Sequence, residues 1–385
     1  MTEARADGRQ HLICEGWRFI PHSAAIAHQF HCLELLRRAA LRLSIRDRAF
    51  QGPWAQVAGL MPQAMEQSLR EIPVAPPGVA ANAVVRIEYP LDLSPAGEAP
   101  TFVMAGPAAG SSPALGVMGG APLAETLAGN TVALLTPSEW ARQGLLAAGA
   151  PEDRVHVVPR GFDPGFMRPA TEDERGGLRE RFGWTDEFVF LHVGALTENK
   201  GTDLALRAFA NLLAQGHERI RLVIKGIDSV YRSQGLLETM KLQLPTEIQP
   251  AAAERLTYIG GNYAFVDMAR LYQCADALIA PYRWEAFSSP VLEAAACGLP
   301  AICTAGGATD EYTVDAFALK VAAQFDPAQC RLLPDEASLL QQMTRAIGDP
   351  GWCAAASQAG PAHVAGYTWR AAADRLLEAV GISGV

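Results

Sequence analysis

The sequence has no Cys-x-x-Cys pair. Its seven cysteines are odd in number and scattered, which argues against a zinc site or a disulfide framework and points to unpaired thiols in a reducing compartment. It has no Asp-x-Asp, so an aspartate-held metal clamp is not implied. It has no Gly-x-Gly-x-x-Gly, which weakens a nicotinamide or flavin reading, and no Gly-Lys-Ser or Gly-Lys-Thr, which excludes a P-loop. Positive charge is not in excess: the net charge of −9 argues against general nucleic-acid binding. The first residues, MTEARADGRQ, lack the apolar core of a signal peptide, so a cytoplasmic location is expected. Charge is missing between Glu98 and Glu125, but Pro100, Pro107, Pro113, Pro122 and five glycines fall there. That composition reads as a strand and a long loop, either a mobile acceptor loop or variable surface, not a spanning helix. No repeat of fixed period is evident.

What is present centres on Trp284 to Pro300, WEAFSSPVLEAAACGLP. Two carboxylates, Glu285 and Glu293, stand with seven residues between them. Ser289 is a good helix N-cap, and Pro290 suits the first helical position. Leu292, Ala295 and Ala296 give an apolar face, and Gly298 can end the helix in a left-handed turn. Glu285 then lies in the loop before the helix and Glu293 on its first turn. Amides at a helix start point outward and form an anion site. Two acids beside an anion site are reconciled by a ligand with both phosphates and hydroxyls. The amides around Phe287, Ser288 and Ser289 can take phosphate, and the carboxylates can accept from sugar hydroxyls. A solvated loop glutamate plus an acid near a helix N-terminus gives the same spacing without a ligand.

At 385 residues, with 49% hydrophobic and 19% charged, the chain suits two soluble globular domains. A buried strand, Phe188 to Val193, leads through a loop from Gly194 to Gly201 into a helix from Thr202 to Leu213. Lys200 in that loop can reach a diphosphate as a point charge. Lys225 follows the strand Arg221 to Ile224. A strand from Arg255 ends in Gly261-Asn262-Tyr263, read either as a tight turn or as a ligand contact. Ala275 to Pro281 is a strand running into the Glu285 loop. In the first half, a strand from His11 to Trp17 precedes a loop with His22 and Ser23 and a helix from Ala24 to about Leu41. Ser23 can cap that helix; His22 and Ser23 serve either structure or an acceptor or phosphate contact. Arg37, Arg38, Arg42, Arg46 and Arg48 form a basic run, read as a solvated face or, alternatively, a weak peripheral contact with anionic lipid.

The E-x7-E spacing, followed by A-x-x-x-G-x-P-x-I, resembles the donor-site signature of family 4 retaining glycosyltransferases of the GT-B fold (glycosyl transferases group 1). FVFLHVGALTENKGTDLALRAFANLL, Phe188 to Leu213, resembles the first strand, phosphate loop and helix of that family's donor domain. Thr136 to Pro169 resembles its interdomain segment. The matches occur in the family's order and run from about residue 131 to the C-terminus. The resemblance implies two Rossmann-like α/β domains facing across a cleft: 1-165 on the acceptor side, 166-364 for the donor, and 365-385 as a C-terminal helix packing back on the first domain.

It further implies transfer of a sugar from a nucleoside diphosphate sugar, with retention, to a glycan, lipid-linked or protein acceptor. The nucleotide-sugar is a co-substrate, and no cofactor or metal is implied. Lys200 and Glu285 take the catalytic roles. Gly194, Lys200, Lys225, Glu285, Phe287, Ser288, Ser289 and Glu293 form the donor site, with Glu285 on sugar hydroxyls and Glu293 on the ribose diol. Gly261, Asn262 and Tyr263 meet the nucleobase; His22, Ser23 and Arg160 are cleft or acceptor candidates, although Arg160 reads equally as a hinge surface residue. One position departs from the pattern. The family pairs its lysine with an arginine five residues earlier, and here Ala195 stands there. Lys225 or Arg160, and less directly Arg283, can replace the lost cation. Two other readings stay open: a sugar-nucleotide epimerase, which shares the fold, and a nucleotide-sugar-binding module that has lost turnover.

Overall fold

A computed structural model describes residues 8–50, 54–97, 99–105, 120 and 122–385. The first residues, and nearly all of the loop expected between Ala105 and Leu123, lie outside these. The chain forms two compact units, one of Met1–Gly161 with Trp369–Val385 and one of Phe162–Thr368.

The first unit is built on β1 (Gln10–Gly16), β2 (Leu41–Asp47), β3 (Ala83–Ile87), β4 (Thr101–Met104), β5 (Ala133–Thr136) and β6 (Val155–Val157). They form one parallel sheet in the order β2-β1-β3-β4-β5-β6. β3 is buried at every residue, as expected of a strand covered on both faces. The strand order changes direction between β1 and β3, and the loop carrying His22 follows β1.

Two expectations fail here. The helix runs from Ser23 to Leu35, and its N-cap is His22, whose Nδ1 accepts from the Ala24 amide at 3.1 Å. Ser23 is instead the first helical residue and is exposed. The helix does not reach Leu41, because the chain turns there into β2. Leu41, Leu43 and Ile45 alternate with Arg42, Ser44 and Arg46, which is a period of two rather than 3.6. The basic run is therefore split between the turn after the helix, the strand β2 and the residue that follows it. Arg37 pairs with Glu34 at 2.6 Å, Arg46 with Glu15 at 2.9 Å, and Arg48 with Glu88 at 2.9 Å and Asp92 at 2.6 Å. Arg38 pairs with Asp374, and Arg42 lies 2.7 Å from His11 Nδ1. Each arginine of the run thus has a partner within the fold, with the Arg37 side chain still 66% exposed. Among the described residues no helix is long and apolar enough to cross a membrane.

The helix Trp369–Ala379 completes the first unit. The Trp369 ring stacks on Phe30 at 5.2 Å and 2°, and meets His31 edge-on at 5.5 Å.

The second unit holds β7 (Phe188–Val193), β8 (Ile220–Lys225), β9 (Leu256–Ile259), β10 (Ala277–Ala280), β11 (Ala301–Thr304) and β12 (Ala318–Val321). All pair in parallel in the order β12-β11-β10-β7-β8-β9. This is the doubly wound dinucleotide-fold order, and its switch point falls between β7 and β10. Arg255, expected to start a strand, ends the helix Gln249–Arg255 instead, and β9 begins at Leu256. A hairpin, β13 (Ala323–Asp326) and β14 (Arg331–Pro334), follows the sheet. The two ends of the unit meet: Phe162 bridges to Thr368 in parallel, and the Phe162 amide donates to the Tyr367 carbonyl at 2.9 Å.

Truncating Trp369 removes a buried indole that anchors the last helix. Trp369→Ala is expected to cost about 3–5 kcal/mol, read as a lower urea midpoint, with the loss located in the first unit by hydrogen exchange.

Candidate functional site

The switch point brings two loops together. After β7 the chain passes Gly194 and Ala195, makes a short 3₁₀ turn at Glu198–Lys200, and enters the helix Thr202–Ala214 through Gly201. The Gly194 amide donates to the Lys225 carbonyl at 3.0 Å, and the Lys200 stem packs on Gly194. Gly201 is left-handed, at φ 67°, and a Cβ there would stand 2.0 Å from the Pro281 carbonyl oxygen. Only glycine lets these two backbones touch. Behind the loop, buried His192 bonds the Ile279 carbonyl and the Thr202 hydroxyl, each at 2.9 Å. Burial above all lowers its pKa to about 4, so it is neutral and ties β7 to β10 and to the helix start.

After β10 the chain presents Arg283 and Glu285. Glu285 forms an ion pair with Lys200, and the side chains are only 13% and 23% exposed. The two residues given the catalytic roles thus meet directly. Glu285 Oε1 accepts from the Lys200 ammonium, so the site combines one cation and one anion ready to take opposite parts of a polar ligand.

The following helix spans Ser289–Ala296. Its N-cap is Ser288, not Ser289, and Ser288 is left-handed at φ 65° with no side-chain cap bond. Ser289 and Pro290 are the first two helical residues, which leaves the start uncapped by any side chain. Glu293 is therefore the fifth helical residue, past the first turn expected for it. The strained Ser288 turn is fixed from outside. Buried Tyr312 places its hydroxyl 2.7 Å from the Phe287 carbonyl and 2.8 Å from that of Ser288, and its ring lies 4.9 Å from Phe287. Buried Tyr272 donates its hydroxyl to Glu293 Oε2 at 2.8 Å. Burial, then the Glu293 charge, pushes the Tyr272 pKa well up, which keeps it a donor. Gly298 ends the helix in the left-handed conformation expected, at φ 74°.

The proposed substitutes for the cation missing at Ala195 are placed as follows. Lys225 is 5% exposed, and its ammonium donates to the carbonyls of Gly226 at 2.6 Å and Gly261 at 2.8 Å. It lies 5.3 Å over the Tyr263 ring, so it joins the Gly261, Asn262 and Tyr263 turn. Burial lowers its pKa from 10.5 to about 8. Arg283 is held by Asp203 through both carboxylate oxygens, at 2.8 and 2.7 Å. Arg160, His22 and Ser23 belong to the first unit. There the Arg160 charge adds to burial and to His28 in holding His31 down to about 3. The His22 ring sits 5.4 Å from that of Trp17 and 5.3 Å from that of Trp54.

Sequence reasoning missed Tyr272, Tyr312 and Asp203. Nothing local in the sequence marks the tyrosines, and only the fold brings their hydroxyls to the E-x7-E segment. Asp203 stands on the first turn of its helix, and its partner Arg283 is 80 residues away, so no local pattern reports the pair.

The Lys225 shift gives a pH test. Below about pH 8 both folded and unfolded chains carry the charge, and the fold bears the full cost of burying it. Between 8 and 10.5 the unfolded chain holds more protons than the folded one, so rising pH favours folding. The stability difference between Lys225→Met and the wild type is expected to move in favour of the wild type over that window, measured by urea titrations at pH 7.5, 9 and 10. Gly201→Ala is expected to destabilise the second unit by at least about 2 kcal/mol, read by the same titration.

Residues 175–330 match the family model for Glycosyl transferases group 1. Mannosylfructose-phosphate synthase of Agrobacterium fabrum is 29% identical over 160 residues, covering 41% of this chain and 34% of its own. D-inositol 3-phosphate glycosyltransferase 1 of Catenulispora acidiphila is 28% identical over 242 residues, covering 62% of this chain and 54% of its own. The chain thus spans about half, or less, of these relatives' lengths. Among solved structures, Anabaena HepE in complex with UDP and glucose superposes with a TM-score of 0.69 at 14% identity, over 97% of this chain and 100% of that one. WaaG, a glycosyltransferase involved in lipopolysaccharide biosynthesis, gives 0.65 at 16% identity over 97% and 100%. At such identities the structural likeness carries the fold. Residues 175–330 form a glycosyl transferases group 1 domain, within a chain of GT-B architecture.

Proposed function

We propose that this chain is a retaining glycosyltransferase of family 4, moving a sugar from a nucleoside diphosphate sugar to a hydroxyl of an acceptor. The observation that carries the reading is the Lys200–Glu285 ion pair at the β7/β10 switch point, beside a helix start with no side-chain cap. A nucleoside diphosphate sugar has partners for each part. Lys200 and the Ser289 end of the helix take the diphosphate. Glu285, released from Lys200, accepts from sugar hydroxyls, and Glu293, oriented by Tyr272, accepts from the ribose diol. The turn of Gly261, Asn262 and Tyr263, with Lys225, faces the base.

In the step itself the bond from the anomeric carbon to the diphosphate oxygen breaks, and a bond to the acceptor oxygen forms on the same face. The acceptor proton passes to the departing phosphate oxygen, so no protein base is required. Negative charge develops on the diphosphate, and Lys200 with the helix-start amides stabilises it where it forms. We assign acceptor recognition to the first unit, and a cytoplasmic location to the enzyme. The nearest rival is a binding module without turnover, which Ala195 favours because it removes a cation from the leaving-group site.

The test is a thermal-shift series with UDP, GDP, ADP and their common sugars. A ligand at about 100 times its Kd stabilises the folded state by about 2.7 kcal/mol. One nucleotide class is expected to raise the midpoint in the wild type, with the shift largely lost in Glu293→Ala and reduced in Tyr272→Phe. Release of nucleoside diphosphate from the matching sugar, abolished in Lys200→Ala, then separates the transferase from the binding module. No shift with any nucleotide at millimolar concentration would overturn the donor site.

A further inference from the structure

The Lys200–Glu285 pair is made of two residues from separate loops, and something must hold those loops in register. Arg283 touches both. Its backbone amide donates to the Asn199 carbonyl at 2.7 Å, and Nη1 donates to the Glu198 carbonyl at 2.8 Å. Its guanidinium also grips Asp203 through two parallel bonds, at 2.8 and 2.7 Å. These three anchor points bracket Lys200 in sequence, two before it and one after it. Arg283 itself lies two residues before Glu285. Asn199 adds a bond from its side-chain amide to the Trp284 carbonyl at 3.3 Å.

The clamp is buttressed from the far side. The Leu332 amide donates to the Arg283 carbonyl at 2.7 Å, and Arg331 pairs with Glu198 at 2.6 Å, so β14 backs both loops. Asp203 is well placed for its part. It stands on the first turn of a helix, where a carboxylate is favoured. Burial pushes its pKa up, but the bonds and charges of Arg283 and Arg207 outweigh that and hold it low. The carboxylate is therefore ionised throughout the neutral range. Arg283 is 14% exposed at its side chain, with three acceptors around it. That occupancy suits a strut better than a group that turns to meet a ligand.

We propose that the Arg283–Asp203 pair is a positioning device that sets Lys200 against Glu285, and so sets the donor geometry. Its importance for transfer rests on the function proposed above; its structural part does not. A lysine cannot replace Arg283, because one ammonium cannot reach the Glu198 carbonyl and both Asp203 oxygens in a plane.

The experiment follows Lys200 itself, by limited acetylation with acetic anhydride and mass spectrometry of the whole protein after digestion. Lys241, paired with Glu238 on a separate helix, is the internal reference. Arg283→Met and Asp203→Asn are each expected to raise the Lys200 rate about tenfold relative to Lys241, and the double variant no further than either single one. Arg283→Lys is expected to behave like Arg283→Met. Arg207→Met, which removes a neighbour of Asp203 without touching residues 198 or 199, is expected to stay within about twofold of the wild type. Unchanged Lys200 reactivity in Arg283→Met, strictly additive single effects, or full recovery in Arg283→Lys would each overturn the proposal. If Arg283→Met does not fold, Asp203→Asn and Arg283→Lys carry the same decision. A parallel thermal shift with UDP, GDP and ADP separates the two ideas. Absence of any shift in the wild type overturns the donor reading, whereas the labelling result decides the clamp on its own.

Discussion

In a parallel sheet each connection normally folds back over the end of the strand it leaves. Between β7 and β10 the connections leave in opposite senses, and the carboxyl ends of both strands stay uncovered. Everything at the candidate site follows from that divergence. It fixes which two loops become neighbours, although they lie far apart in sequence. It also sets a demand: backbones that approach this closely need a residue without a side chain, and Gly201 against Pro281 meets it. The polar groups drawn into the crevice then have to satisfy one another when no ligand is present. Lys200 and Glu285 do so directly, and Glu293 does so through Tyr272.

The two tyrosines show how a polar segment is kept in shape without charge. Tyr312 and Tyr272 are both 1% exposed, with hydroxyls that reach the carbonyls of a left-handed turn in one case and a carboxylate in the other. Each ring fills core volume while its tip sets a polar atom, a division of labour available to tyrosine and not to phenylalanine. Energetically this matters because a left-handed serine costs on the order of 1–3 kcal/mol and persists only where its surroundings over-determine it. The Phe287–Tyr312 ring contact and the two hydroxyl contacts supply that determination.

Much of this was legible in the sequence, for a physical reason. Strand β7 and the helix after the Gly194 loop are long, apolar and bounded by glycine, and their limits fell within a residue of expectation. The E-x7-E segment declares its helix through proline and glycine at opposite ends. The alternation in Leu41 to Arg46 is equally present, but it runs through a stretch whose five arginines give it a strong charge signal as well. Those arginines were answered by Glu15, Glu34, Glu88, Asp92 and Asp374, most of them distant in sequence, and no local pattern reports such pairings. The same limit hid the Arg283–Asp203 pair, whose members are 80 residues apart. The offset at Ser288 has another cause. Serine and proline signalled a helix start, but which of two adjacent serines turned left-handed depended on Tyr312, which the sequence places in another loop.

The first unit is closed by two segments that lie far apart in sequence. Its core includes Trp369, stacked on Phe30, so the segment before Phe162 is completed by a helix that follows Thr368. The second unit is a single continuous stretch and holds all the strands of its sheet without the helix Trp369–Ala379. The bridge from Phe162 to Thr368 holds its two ends side by side. A separation of roughly two hundred residues, which a free chain would have to close at an entropic cost growing with loop length, is spanned there by a single isolated bridge. Folding of the inserted unit thus shortens the loop that the surrounding unit has to close.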